Sequence, residues 1–461
     1  MINAISLDRK IEIDHKFLKR FFLLLYFILF LVLFFPEARK VTSIIMSINA
    51  VVIFASAYFL SSEQRVKNVI APIVLSRAVF VQILAQLSIF IYWGMYNSAA
   101  INRLPLVVHQ VIFGYVFLFI LSCMMESKFK ISFSPAAAIL SANLFIWFSP
   151  VVYYFHYALI MIALLAKTFI TRTVDGEKRH IFNPSGFVSN IAAVTISLLE
   201  INYIHQYIYA TQMGANYLWL PNFDLVVFSA SCFSLWSPNM YLVAIGSIFT
   251  MWAAEVLSNQ FFGMSFTTET PRASILLGIA LLITDPATAP RSKMGQFLYG
   301  VGYSFSIFIS FIILAYKGWQ MYFVKVFFLI PLNFFAYKID QFGKWIEENL
   351  ISKLNFKYEL SRLRLLVIYI CLTSFVTVTL FGRRLPPFLL DFDHNLNPPA
   401  NFFDVGRAEA SRMGFLGIVS PRRFYYMTRM ILSGHAYRQM PYRSPVPINK
   451  DFDQFREFER Y

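Results

Sequence analysis

Two short elements hold the residues best suited to chemistry. One is Ile181-Phe182-Asn183-Pro184-Ser185-Gly186-Phe187, and the other is Ile283-Thr284-Asp285-Pro286-Ala287-Thr288-Ala289-Pro290. Each places a short polar residue before a proline at the edge of an apolar stretch. Asn and Asp are favoured N-caps, and proline suits the first helical position. A helix start offers unpaired N–H groups and a partial positive charge, so the chemistry in view is the seating of an anion such as a phosphate. In that reading Asn183 and Asp285 cap helix starts ahead of Pro184 and Pro286. Ser185 and Thr288 donate hydrogen bonds, and Arg291 or Lys293 neutralises the anion. These eight residues form the candidate cofactor-binding set. The competing reading is that the elements start helices and do nothing more. That simpler reading is preferred for Ser134-Pro135, Ser149-Pro150, Ser237-Pro238 and Thr270-Pro271, where the device is weaker.

Ionisable residues inside apolar stretches are expensive to bury in lipid and are functional candidates by default. Glu255, within 240–258, is the candidate for an ion pathway. Arg77, His109, His156 and Lys325 lie in other apolar stretches, and Glu200, His205 and Asp224 flank such stretches. A carboxyl satisfied by a hydrogen bond between helices is the competing reading for Glu255, and a packed or interfacial imidazole for each histidine. No His-x-x-x-His pair is present to hold a haem or metal. Cys123, Cys232 and Cys371 form no Cys-x-x-Cys and no zinc pattern. Gly300-x-Gly302 alone is not a dinucleotide fingerprint, and neither a P-loop nor a Gly-x-Ser-x-Gly nucleophile appears.

The elements that must position these residues are set by composition. Of 461 residues 58% are hydrophobic and only 14% are charged, with 51 phenylalanines; a soluble domain carries roughly 25% charge. Mean hydropathy is +0.58. A soluble enzyme, a disordered chain and a nucleic-acid-binding domain are excluded as the main reading. The net charge of +15 fits basic loops held on one side of a bilayer. Apolar stretches occupy 18–36, 41–61, 69–96, 104–125, 132–149, 151–170, 184–201, 222–237, 240–258, 272–285, 296–316, 318–337 and 363–381. Several are shorter than the ~20 residues a crossing needs, so the expected count is ten to thirteen spans, with short pieces lining a buried site.

Basic loops at 62–68, 126–131, 171–182, 287–293 and 338–362 fall on the side of the N-terminus, which the positive-inside rule makes cytoplasmic. Residues 21–35 read as a retained span, since no small-residue cleavage site follows. Four segments result: N-terminal helices over 1–131, a membrane core over 132–340, a basic loop and last span over 341–381, and a basic, Pro- and Tyr-rich tail over 382–461. The tail lies on the membrane or its own subunit, or serves as a docking arm.

At its two proline elements the chain resembles a known family. Phe182-Asn183-Pro184-Ser185 after a basic loop, then Thr284-Asp285-Pro286-x-Thr288-x-Pro290 with Gly295-Gln296 and Tyr299-Gly300, looks like the membrane subunits RnfD and NqrB. Arg179-His180-Ile181-Phe182-Asn183-Pro184-Ser185 with Ile283-Thr284-Asp285-Pro286 is closer to the UnbU-type branch, named for enediyne biosynthesis loci. The resemblance covers roughly residues 135–340. It implies an inner-membrane subunit of a redox-driven or ion-coupled electron-transport assembly, with other membrane or redox subunits as partners and no nucleic acid. Separately, the pairing of the two elements, about a hundred residues apart, points to two repeats whose broken helices meet. In that family FMN is linked to a threonine in a Ser-Gly-Ala-Thr-like motif between the two elements. Here 201–221 contains Thr211 but not the motif, and the threonine-rich stretch Ser265–Thr270 lies too close to Asp285. The cofactor left open is a flavin, FMN or riboflavin, held without a covalent link. The alternatives are a non-redox small-solute transporter and an UnbU-type scaffold without turnover.

The expected fold is therefore an all-α polytopic membrane protein with an RnfD/NqrB-like core and broken or short helices.

Overall fold

The computed structural model describes residues 15–61, 76–96, 98–125, 129, 131–148, 153–174, 176–198, 208–209, 223–262, 272–317, 324–351 and 361–381. All lie in one compact unit, Met1–Phe415. The tail, the 62–68 loop, His205, Thr211 and Ser265–Thr270 fall outside the described residues.

Helices dominate. In chain order they are α1 (His15–Leu31), α2 (Pro36–Arg39), α3 (Thr42–Ser61), α4 (Arg77–Tyr96), α5 (Ser98–Met124), α6 (Ser134–Phe145) and α7 (Tyr154–Phe169). They continue with α8 (Pro184–Leu198), α9 (Phe223–Trp236), α10 (Tyr241–Phe262), α11 (Arg272–Leu281), α12 (Lys293–Lys317), α13 (Leu329–Ile346) and α14 (Arg362–Phe381). Six stretches are long and apolar enough to cross a bilayer: His15–Phe34, Thr42–Ser61, Arg77–Gly94, Asn102–Met124, Tyr241–Ser258 and Lys293–Ile313. The described residues thus hold six such helices against an expectation of ten to thirteen spans. Ser134–Phe145, Tyr154–Phe169 and Leu225–Trp236 are apolar but shorter, and α11 has only 10 residues.

The expected all-α fold is amended in two places. Residues 171–182, expected as a basic loop, contain a β-hairpin: β2 (Thr171–Val174) pairs antiparallel with β3 (Glu177–His180), and Gly176 supplies the positive φ of the turn. A second short ladder pairs β1 (Trp147–Phe148) with β4 (Ile208–Tyr209). The apolar run 318–337 does not form one crossing either, because a turn at 324–328 precedes α13.

The packing is that of a membrane protein, with large apolar side chains outward. On α3, Met46, Val51, Phe54 and Tyr58 are exposed while Asn49 and Ser56 are buried. These inward polar groups find partners on other helices, because lipid offers none. His109 Nε2 lies 2.8 Å from Asn49 Oδ1, and the Tyr157 hydroxyl lies 2.7 Å from His109 Nδ1. One tautomer satisfies both contacts, with Nε2–H donating to Asn49 and Nδ1 accepting from Tyr157. On the next residue, Gln110 donates to the Tyr153 hydroxyl at 2.6 Å, and Asn143 donates to Gln110 Oε1 at 2.6 Å. The network ties α3, α5, α6 and α7 in register. His109→Leu should strand the Asn49 and Tyr157 groups, at about 1–3 kcal/mol for each buried group left unpaired. Thermal unfolding in detergent measures the loss. Asn49→Leu added to His109→Leu should recover part of it, since the two sites share one interaction.

Close backbone contact aligns the core helices. Val243 meets Gly300 and Ser247 bonds Ser304, so α10 and α12 run in the same direction. Gly295 meets Gly343 and Tyr303 meets Lys325, so α13 runs back along α12.

Candidate functional site

The two proline elements meet. Asn183 is buried at the start of α8, and its side-chain amide donates to the carbonyls of Leu281 at 3.4 Å and Leu282 at 2.9 Å. Those carbonyls end α11, where no following turn of helix satisfies them. The other side of the same amide caps α8: Asn183 Oδ1 accepts from Ser185 N at 3.1 Å and Gly186 N at 3.3 Å. One side chain therefore closes the end of one helix and the start of another. The Ser185 hydroxyl lies 2.8 Å from Asn183 Oδ1 and 3.0 Å from the Ser141 hydroxyl of α6.

Asp285 sits in the turn that follows. Its Oδ1 accepts from Ala287 N at 3.0 Å, and its Oδ2 pairs with His180 Nε2 at 3.0 Å. His180 ends the β-hairpin. The hairpin is fixed by Ile181 N donating to Ile170 O at 3.0 Å and by Arg172 lying 5.1 Å over the Tyr337 ring of α13. The Lys167 ammonium of α7 hydrogen-bonds Ser134 and lies within electrostatic reach of Asp285. Thr288 is buried, and its hydroxyl donates to the Asp285 carbonyl at 3.3 Å. Pro286 is half-buried, and Pro184 is buried at the first position of α8.

Arg291 and Lys293 expose their side chains, and the important contact of Arg291 is through its backbone. Arg291 N and Ser292 N donate to Asp340 Oδ1 at 2.8 and 2.7 Å, and the Ser292 hydroxyl donates to the same oxygen at 2.8 Å. Ser292 Oγ in turn accepts from Gly295 N at 3.1 Å, and Met294 N donates to Glu347 Oε1 at 2.6 Å. The start of α12 is thus capped by its own serine and by two carboxylates from the far end of α13. Burial pulls the Asp340 carboxyl upward. The Ser292 N–H and hydroxyl and the Lys344 ammonium at 3.3 Å outweigh it and hold the group below the ordinary carboxylate value.

Glu255 is buried on α10, eight residues and about 12 Å beyond Ser247. It lies on α10 and is not among the groups that meet at the proline elements.

The structure therefore brings Asn183, Ser185, Asp285 and Thr288 together, while Arg291 and Lys293 are exposed and Glu255 is buried further along α10. It adds His180, Lys167, Ser141 and Asp340, none of which the candidate set contained. His180 stood in the basic loop, where it read as one more positive charge. Asp340 stood in the basic segment 338–362 beside Glu347, Glu348 and Glu359, where nothing local singled it out.

A flavin phosphate does not fit the two starts. In the first turn of α8, Pro184 has no N–H, Ser185 N and Gly186 N go to Asn183 Oδ1, and Phe187 N goes to Asn183 O. In the second element Ala287 N goes to Asp285 Oδ1, and Thr288 N and Ala289 N go to Asp285 O. These amides are already satisfied, and the Asp285 carboxylate would repel a phosphate. Among the described residues no group of three or more His, Cys, Asp and Glu is placed to hold a metal ion. Compared with models of known protein families, with curated proteins and with solved structures, the chain matches none.

Proposed function

We propose that the chain is an integral membrane subunit of an ion-coupled transport assembly, the ion-coupled half of what the RnfD/NqrB-like resemblance implies. One observation carries this reading. Two interrupted apolar segments meet through Asn183, and a carboxylate–imidazole pair, Asp285–His180, stands at the meeting point with Lys167 nearby. Broken helices that meet around polar and charged groups are how membrane transporters build ion sites. The pair joins the β-hairpin to the α11–α12 turn, so a change in its charge state alters the contact between two separate elements. A redox role rests on the resemblance alone, since the helix starts hold no seat for a flavin phosphate.

The test uses the full chain reconstituted in phospholipid vesicles under an imposed potassium diffusion potential. Proton movement is read by an entrapped pH dye, and sodium movement by a radioactive tracer. The expected result is movement of one ion by the unmodified chain and its loss in Asp285→Asn, with unchanged elution on gel filtration. Movement of neither ion, or an Asp285→Asn protein as fast as the unmodified one, overturns the reading and leaves a solute carrier or scaffold.

A further inference from the structure

Lys325 is only 4% exposed, and no role above uses it. It lies in the turn at 324–328 that interrupts the apolar run before α13. Tyr303 donates its hydroxyl to the Lys325 carbonyl at 3.0 Å, and Tyr303 is the central residue of the apolar stretch Lys293–Ile313. That residue is about 15 Å from either end of the stretch, near the middle of a hydrocarbon layer ~30 Å thick. Four helices close around the lysine. The Phe145 ring of α6 has its centroid 5.4 Å from the ammonium, and a Cβ on Gly278 of α11 would lie 3.7 Å from the Lys325 side chain. The Asn190 amide of α8 donates to the next two carbonyls, Val326 and Phe327, the latter at 2.6 Å. Tyr303 of α12 completes the enclosure and is the titratable neighbour among these.

An ammonium at this depth is costly, and a leucine or methionine would fill the space without that cost. Polar groups also lead toward it from the basic end of the bundle. Asp285 lies within electrostatic reach of Tyr299, which is fully buried and donates to Asn333. Tyr303, one turn further along α12, lies within reach of Tyr299 and holds Lys325. Past that level, Ser247 and Ser304 are joined at 2.6 Å, and Glu255 is buried further along α10.

We infer that Lys325 is a proton-carrying residue of the transport path, with the Asp285–His180 pair toward the start of α12 on one side of it and Glu255 further along α10 on the other. This rests on the ion-coupled reading and names its ion. In the step an Nζ–H bond breaks, the electron pair stays on nitrogen as the neutral amine, and the proton passes to a water molecule on the Glu255 side, which becomes hydronium and passes it on. A proton arriving from the Asp285–His180 side restores the ammonium. A lysine can do this because its nitrogen gives up a proton when desolvated, whereas an arginine stays charged.

The experiment uses the same vesicles and the same entrapped pH dye. The unmodified chain should move protons. Lys325→Met and Lys325→Arg should fall to the rate of protein-free vesicles, and Tyr303→Phe should be slowed. Lys325→Arg keeps the positive charge and the fold, so its elution profile guards against a misfolded Lys325→Met. A Lys325→Arg protein as fast as the unmodified chain overturns the role of the lysine while the ion-coupled reading stands. Sodium movement without proton movement overturns the choice of ion in the same way. Movement of neither ion removes both readings together.

Discussion

Gly300→Ala should separate α10 from α12 and be among the most damaging single-methyl changes in this chain. A Cβ at position 300 would lie 1.9 Å from the Val243 carbonyl oxygen, 2.8 Å from its carbon and 2.9 Å from Ser247 N. All three are backbone atoms, so no side-chain rotation relieves the clash and one helix must move. The movement would also pull apart the Ser247–Ser304 hydroxyl pair, which sits in the same crossing. Overpacking a well-packed core costs about 1–3 kcal/mol and more where backbone must shift. A loss of about 3 kcal/mol or more is therefore expected, measured as thermal unfolding in detergent. Gly302→Ala is the control. Its added Cβ would meet only Leu332 Cδ1 at 3.2 Å, the end of a flexible side chain. Helix propensity favours alanine over glycine by about 0.5–1 kcal/mol, so Gly302→Ala should be close to neutral. Equal losses at the two positions would show that the α10–α12 contact is not the close one described.

Much of this architecture can be read from residue patterns, and the misses have physical causes. The ends of the long apolar helices fall close to expectation, as at 41–61 against Thr42–Ser61 and 240–258 against Tyr241–Ser258. Hydropathy measures what a segment can bury, and a full crossing is the simplest case. It does not register where a segment breaks. The run 318–337 is largely apolar, yet the chain turns at 324–328, and the available signs were Lys325 within the run and Pro331 just inside the helix that starts at Leu329. The hairpin at 171–180 was hidden by its charge, although Asp175-Gly176 is a turn dipeptide. The two proline elements drew attention for their amides, and the expectation that those amides await an anion did not allow for internal partners. Asn183 turns its own oxygen onto Ser185 N and Gly186 N, a local contact that the Asn-Pro-Ser spacing does allow. The partner of Arg291 and Ser292 lies 49 and 48 residues away, at Asp340. No local pattern announces a pairing of that range.

These internal partners change how the junction is understood. Helix starts in a membrane protein carry positive character that must be answered somewhere. In this chain the answer comes from Asn183, Asp340 and Glu347, all within the chain itself. The charged groups of the candidate site, the Asp285–His180 pair and Lys167, stand where the β-hairpin, α7 and the α11–α12 turn come together. A fixed frame around a small number of titratable groups suits ion handling better than the binding of a large anionic cofactor.

The frame itself depends most on Asp340, and Asp340→Ala should unfasten α12 from α13. One carboxylate oxygen takes the N–H of Arg291, the N–H of Ser292 and the Ser292 hydroxyl, and the other pairs with Lys344 at 3.3 Å. The lysine is half exposed, so its share is small. The three bonds to Oδ1 are charge-assisted, and hydrogen bonds to charged groups contribute about 1.5–3 kcal/mol each. Alanine strands two backbone donors at a buried helix start, and an overall loss of about 3–5 kcal/mol is expected, as when a buried charged group's partner is removed. Asp340→Asn keeps one oxygen at the right place and should recover part of the loss, which a purely steric role for residue 340 would not produce. The pH dependence follows from the same contacts. The folded-state value lies below the unfolded reference of about 3.9. The contribution is therefore complete above that reference and drains away as pH falls below about 4 through the lower, folded value. Unfolding midpoints measured between about pH 3 and 7 should fall more steeply on the acid side in the unmodified chain than in Asp340→Asn. Parallel curves for the two proteins would mean that the carboxylate is not what fastens the two helices.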